Sequence, residues 1–203
     1  SFSIDPYEVE QLKRIHVPII GINTPSTSNF DASVSINDEE GMFMAAQHLI
    51  NLGHRHIVYT CSEPAEGITS SIDDRGRGFI RACKAAEHNH DLQWQVLSVP
   101  RGREFADSAL TALLALDEFP DAICCQMDMM AIPLVLKLEH YGHFTPKDYS
   151  IISFDDSPYA DTINLTTMRQ NPRDMGRNAA MKALKLIADE PLGNPHETIQ
   201  PQL

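Results

Sequence analysis

Asp121-Ala122-Ile123-Cys124-Cys125, then a helix-period run from Met129 to His140, then Tyr149-Ser150-Ile151-Ile152-Ser153-Phe154: this stretch decides the fold. Both flanking segments are short, nearly uninterrupted apolar runs, the pattern of strands buried on two faces. Gly142 stops the helix between them. Strand, amphipathic helix, strand is the unit from which a parallel sheet covered on both faces is built.

The same unit recurs outward. Upstream lie Ile57–Cys61 as a strand, Arg75 to Glu87 as a helix, Val96–Val99 as a strand and Glu104 to Leu116 as a helix. Phe79, Ala82, Cys83 and Ala86 fall on one face of the first helix. Further upstream, Val17–Ile22 is a short apolar run, and Asn37-Asp38-Glu39-Glu40 offers an N-cap with a glutamate three residues on. Met42, Ala45, Ala46, Leu49, Ile50 and Leu52 follow at helical spacing, and Gly53 closes that helix as a left-handed residue. Downstream, Asn171-Pro172 caps a last helix that runs to about Asp189. The fold class is α/β. Ser1-Phe2-Ser3-Ile4 resembles the end of a strand rather than a natural start, so the parent protein is expected to extend upstream.

Charge narrows the partners. Lys and Arg total 16 against 28 Asp and Glu, a net charge of -12, with no basic run. Duplex binding needs clustered cations, so this chain by itself is expected not to bind nucleic acid. No window approaches the roughly 18 apolar residues of a membrane span, and no signal peptide is visible. The four cysteines, Cys61, Cys83, Cys124 and Cys125, form no Cys-x-x-Cys pair and read as buried apolar residues of a reducing compartment.

In an open parallel sheet, ligands bind beyond the carboxyl ends of the strands. Asp155 and Asp156 follow one strand, Gln126, Met127 and Asp128 another, a loop ending at Arg75 a third, and Asn23 the first apolar run. A carboxylate and a guanidinium on that rim can hold a polyhydroxylated ligand by charge-assisted hydrogen bonds. Taken singly, these residues have plainer readings. Asp155 reads equally well as a turn cap, Arg75 as a solvated residue and Asp128 as the cap of the following helix. The pairs His54/His56 and His88/His90 lack a third ligand, so no metal is expected. Nucleophile-elbow, phosphate-loop and zinc-protease motifs are missing, and Gly76-Arg77-Gly78 lacks the third glycine of a dinucleotide loop. No cofactor and no enzymatic activity are expected, although Asp155/Asp156 would be the best carboxylate pair for an enzyme.

The chain resembles regulators of the lactose/galactose-repressor family over nearly its whole length and in motif order. The matching pieces are Leu52-Gly53-His54-Arg55-His56-Ile57, Arg75-x-x-Gly78-Phe79 and Pro120-Asp121-Ala122-Ile123 with Asp128-x-x-Ala131. They continue with Ser150-Ile151-Ile152, Phe154-Asp155-Asp156, Leu165-Thr166-Thr167, Arg169-Gln170 and Met175-Gly176. The resemblance implies a two-lobed, type I periplasmic-binding-protein-like fold with parallel sheets: 1–36 in an incomplete first lobe, 37–170 the second, and 171–203 returning to the first. It further implies that Arg75 and Asp155 grip a small-molecule effector, a sugar or sugar-like compound, with Asn23, Phe105 as an apolar wall, and Gln170. One departure stands out: the family's asparagine before the aspartate is Met127 here, a weak acceptor at best. Pro133 is a second, inside a helix. By the same resemblance the protein is expected to be cytoplasmic and a homodimer, joined around Met129–Leu138 and Ser157–Ile163, where Leu134 and Tyr159 read equally well as exposed contacts or as ordinary core. DNA would be reached only through an N-terminal headpiece that this chain lacks. The alternative is a stand-alone periplasmic sugar receptor of a transporter.

Overall fold

The computed structural model describes residues 6–14, 16–24, 30–64, 73–87 and 91–203. The expected strand end at 1–4 and the pair His88/His90 lie outside them. The chain divides into two compact units, one of residues 1–37 and 171–201, the other of 38–170 with 202–203.

The smaller unit holds α1 (Pro6–Lys13), β1 (Ile20–Ile22), β2 (Ala32–Ile36), α6 (Pro172–Ile187) and β8 (His196–Ile199). Its three strands run parallel in the order β1-β2-β8. Val34 and Ile36 of β2 meet Met175 and Ala179 of α6 to form its core. α6 begins as the Asn-Pro pair requires: Asn171, at φ 54°, accepts from the Asp174 N–H, and Pro172 takes the first helical position.

The larger unit holds α2 (Asp38–Asn51), β3 (His56–Ser62), α3 (Asp74–Ala86), β4 (Gln93–Val99), α4 (Phe105–Leu114), β5 (Ala122–Cys125), α5 (Asp128–His140), β6 (Ser150–Asp155) and β7 (Thr166–Arg169). Its strands form one parallel sheet in the order β4-β3-β5-β6-β7. Strand alternation sorts the core into two layers. Ile57, Tyr59, Ala122, Cys124, Ile152 and Phe154 face α2 and α3. Val58, Ile123, Cys125 and Ile151 face α4 and α5. Cys124 and Cys125 are thus buried on opposite faces, and burial pushes the Cys61 thiol up to about 11 and Cys83 up to about 12. Such thiols are inert. Of the two readings of Leu134 and Tyr159, Leu134 takes the core one and is not an exposed contact, whereas Tyr159 is exposed. α5 runs through Pro133 without ending.

Because β4 and β5 lie on opposite sides of β3, the chain reverses its direction of travel between β3 and β5. The connections that follow these two strands leave in opposite directions, and in an open sheet that is where a crevice forms.

Gly78, the glycine of the Arg-x-x-Gly-Phe run, has a packing role. A Cβ there would stand 2.0 Å from the Glu39 carbonyl oxygen of α2. Only glycine lets α3 lie this close to α2, where Arg77 and Arg81 pair with Glu39. Backbone cannot retreat as a side-chain tip can, so Gly78→Ala is expected to cost about 3 kcal/mol, the upper range of core overpacking. Urea unfolding measures it; an unchanged midpoint would contradict this close approach.

Candidate functional site

Tyr59 ends its ring against Phe79, 5.4 Å between centroids, and its hydroxyl donates to Asp73 Oδ1 at 3.2 Å. Asp73 is the N-cap of α3 and accepts the Gly76 N–H at 2.8 Å through the same oxygen. Gln126, just after β5, closes the network. Its Oε1 accepts the N–H and hydroxyl of Ser62, at 3.0 and 3.1 Å, and its Nε2 donates to Asp73. The ends of β3 and β5 and the start of α3 are therefore one hydrogen-bonded body.

Arg75 grows out of that body and is 9% exposed, against its reading as a solvated residue. Nε donates to Asp38 Oδ1 at 2.7 Å, and Nη1 donates to the Gln126 carbonyl at 2.7 Å. Nη1 also lies 3.2 Å from Asp155 Oδ1. The guanidinium carbon sits 3.9 Å from the centroid of the Phe154 ring, a cation–π geometry. Burial opposes the charge on Arg75, but Asp38 and then Asp155 outweigh it and raise its pKa. Gln170 donates its amide to Asp155 Oδ1 as well. Among the described residues, Nη2 of Arg75 and Oδ2 of Asp155 have no partner.

Asp155 is held under two kinds of stress. Burial raises its pKa above the ordinary carboxylate value; Arg75 pulls it back only in part, and the charge of Asp128 adds to the rise. Its backbone has φ 119°, followed by φ 53° at Asp156. Two successive positive φ values in non-glycine residues are unfavourable and recur where function holds them. They turn the chain sharply at the end of β6.

The other candidates are placed as follows. Asp128 is not a helix cap, because the cap position is Met127, whose side chain makes no capping bond. Asp128 is wholly buried and accepts from the Ser157 N–H and the Thr167 hydroxyl, both at 2.7 Å, stitching the turn after β6 to β7. Met127 is half-buried beside it. Phe105 is buried in the core layer under α4 and offers no exposed ring face, which corrects its reading as a wall of the site. Asn23 belongs to the smaller unit, where it is exposed at φ 51° just past β1. Asp156 accepts from Arg169 Nε at 2.5 Å. His54 lies 3.3 Å from Asp121, and no cluster of metal-binding side chains occurs among the described residues. A separate cavity of about 330 Å³, lined by residues such as Leu49, Ser150 and Thr166, lies at the amino ends of β6 and β7, the far end of the sheet from Arg75.

A model of the periplasmic binding protein-like domain matches residues 46–203. The chain belongs to that family, in its lactose/galactose-repressor branch. The arabinose metabolism transcriptional repressor of Geobacillus stearothermophilus is 32% identical over 183 residues, 87% of this chain and 49% of the repressor. The HTH-type transcriptional repressor PurR of Vibrio cholerae is 30% identical over 171 residues, 82% of this chain and 48% of PurR. The chain thus spans about half the length of the curated relatives it matches. Among solved structures, a LacI-family regulator of Enterococcus faecium with bound ribose is 25% identical at a TM-score of 0.81, covering 98% of this chain and 73% of that one. A LacI-family regulatory protein of Chloroflexus aggregans is also 25% identical, at a TM-score of 0.84, covering 100% and 72%.

In a chain of this repressor branch the Arg75 cluster has a stability signature. Arg75→Ala leaves two partly buried carboxylates without their cation and should cost about 3–5 kcal/mol, read as a lowered melting temperature. Asp155 behaves in the opposite sense. Its raised pKa means that its ionised form weakens the fold, so the unfavourable contribution exists above the folded-state pKa and disappears as pH falls through it. Asp155→Asn should melt no lower than the native protein at pH 7, with the difference shrinking on acidification. A native advantage that grows above pH 7 would contradict the burial of Asp155.

Proposed function

We propose that this chain binds a small polar effector at the mouth built by Arg75, Asp155 and Gln170, and that binding biases a conformational equilibrium which a transcription regulator converts into altered operator affinity. The observation that carries the proposal is the half-used state of the two charged groups. Buried and rigidly positioned, Arg75 keeps a donor edge at Nη2 and Asp155 an acceptor at Oδ2. A hydroxyl-bearing ligand can satisfy both. The names of the relatives, an arabinose-metabolism repressor and a ribose-bound regulator, support a sugar or sugar-like effector.

Gln170 is assigned to the same ligand as an amide partner. Met127 sits at the mouth as a thioether, and Phe105 is left out of the contact set because it is core. The reading is of a cytoplasmic binding protein rather than an enzyme. Asp156, the second carboxylate that a two-carboxylate mechanism would need, is engaged by Arg169. The names of the relatives favour the regulator over a transporter receptor. No helix of the described residues is long and apolar enough to cross a membrane. Operator contact is assigned to residues outside this chain, whose net charge of -12 opposes DNA.

We assign homodimerisation to α5 and the segment after β6. Met129 and Leu136, 66% and 53% exposed, are seven residues apart and so share one side of α5, and Tyr159 is 63% exposed.

Two measurements test this. Asp155→Ala should weaken effector binding in calorimetry by roughly ten- to hundredfold, the worth of a hydrogen bond to a charged group; unchanged affinity rejects the site. Leu136→Glu should turn a dimer into a monomer in light scattering, and a dimer that persists rejects the interface.

A further inference from the structure

The larger unit has a hollow of its own at the end of the sheet opposite Arg75. It holds about 330 Å³ and lies between the last turn of α2 and the segments that lead into β6 and β7, with Val135 of α5 in its wall. The floor is aliphatic: Leu49, Val135, Ile152 and Leu165 are all buried. The rim is open, since Leu52, Pro146 and Asn164 are exposed.

Over that floor stand five hydrogen-bonding side chains: His48, Thr145, Ser150, Asn164 and Thr166. The local structure puts them there. His48 occupies the last turn of α2. Ser150 lies two residues before Ile152 in β6 and so shares its face. Asn164, at φ 51°, is the left-handed residue that turns the chain toward β7, which Thr166 opens. Among the described residues, none of these five side chains has a hydrogen bond or an ion pair. Polar groups inside a packed fold are mostly paired with one another. Convergent polar groups left to solvent above an apolar floor are instead the make-up of a ligand pocket.

The lining also selects among ligands. It includes no carboxylate, ammonium or guanidinium. A charged ligand would give up its hydration with no opposite charge to replace it. A free sugar would set hydroxyls against the aliphatic floor, where they would have no partner. An aromatic ring has apolar faces for the floor and carries its polar groups at the edge, level with the rim. An apolar cavity of roughly 150 Å³ takes up one benzene, so about 330 Å³ suits two fused rings. We propose that this hollow is a second ligand site, separate from the mouth at Arg75, for an uncharged aromatic compound of two fused rings bearing a hydroxyl or N–H on its edge.

The test is calorimetry on the purified full-length protein with 2-naphthol and indole, and with 2-naphthoate and indole-3-carboxylate as their charged counterparts. Saturable binding of 2-naphthol or indole, roughly tenfold or more tighter than of the matching acid, is expected. Thr166→Trp fills the hollow from an exposed strand position and should abolish that binding. His48→Ala removes one of the five polar groups and should weaken it severalfold. Asp155→Ala should leave it unchanged. Absence of saturable binding, an acid that binds as tightly as its neutral parent, or binding that survives Thr166→Trp overturns the proposal. Loss of binding in Asp155→Ala overturns it too, because the compound would then sit at the Arg75 mouth. If Thr166→Trp melts far below the native protein, His48→Ala decides in its place, and undiminished binding there overturns the site.

Discussion

A guanidinium taken out of water persists only where charge and hydrogen bonds are returned to it. Arg75 receives a carboxylate from the start of α2, a carbonyl from the end of β5, a second carboxylate from the end of β6 and the face of Phe154. No single one of these would hold it. Together they draw four separate parts of the larger unit to one point, so the arrangement at the carboxyl ends of the strands depends on this one side chain. The position also lies at the edges of the larger unit. Asp38 is the first residue of the larger unit after the chain enters it, and Gln170, bonded to Asp155, is the last before the chain leaves.

The strand-helix alternation was legible because it depends on local pattern. The runs around Ile57–Cys61, Ala122–Cys125 and Ser150–Phe154 are apolar on both faces, and the structure buries them on both faces. β2 and β8 were not read. Ala32-Ser33-Val34-Ser35-Ile36 carries two serines and a single branched aliphatic residue before its end, a weak strand signal. Its burial comes from α6, which lies far away in sequence. α1 was missed for a similar reason, having no strong apolar stripe.

At the site, residue types at strand ends pointed to Arg75 and Asp155, and their proximity came out of the fold. Asp38 was read only as part of a capping stretch. Nothing in its neighbours says that a guanidinium 37 residues later will meet it. Asp128 shows the limit in the other direction: an aspartate opening a helix usually caps it, but this one turns inward to hold Ser157 and Thr167. Gly78 was read only as one residue of the Arg75-x-x-Gly78-Phe79 run; its reason is steric, since α2 passes too near for a side chain.

The left-handed turn at Asp155 and Asp156 carries a further consequence. Strain of this kind typically costs of order 1–3 kcal/mol per residue and is tolerated because the surroundings enforce it. Glycine would adopt the same backbone freely. Evolution toward robustness and evolution toward recognition thus pull this position in opposite directions. A lineage selected only for heat resistance would drift toward glycine here and lose the carboxylate beside Arg75 while its melting curve improved. Ranking variants by thermostability alone would therefore favour the ones that have given up this charge pair.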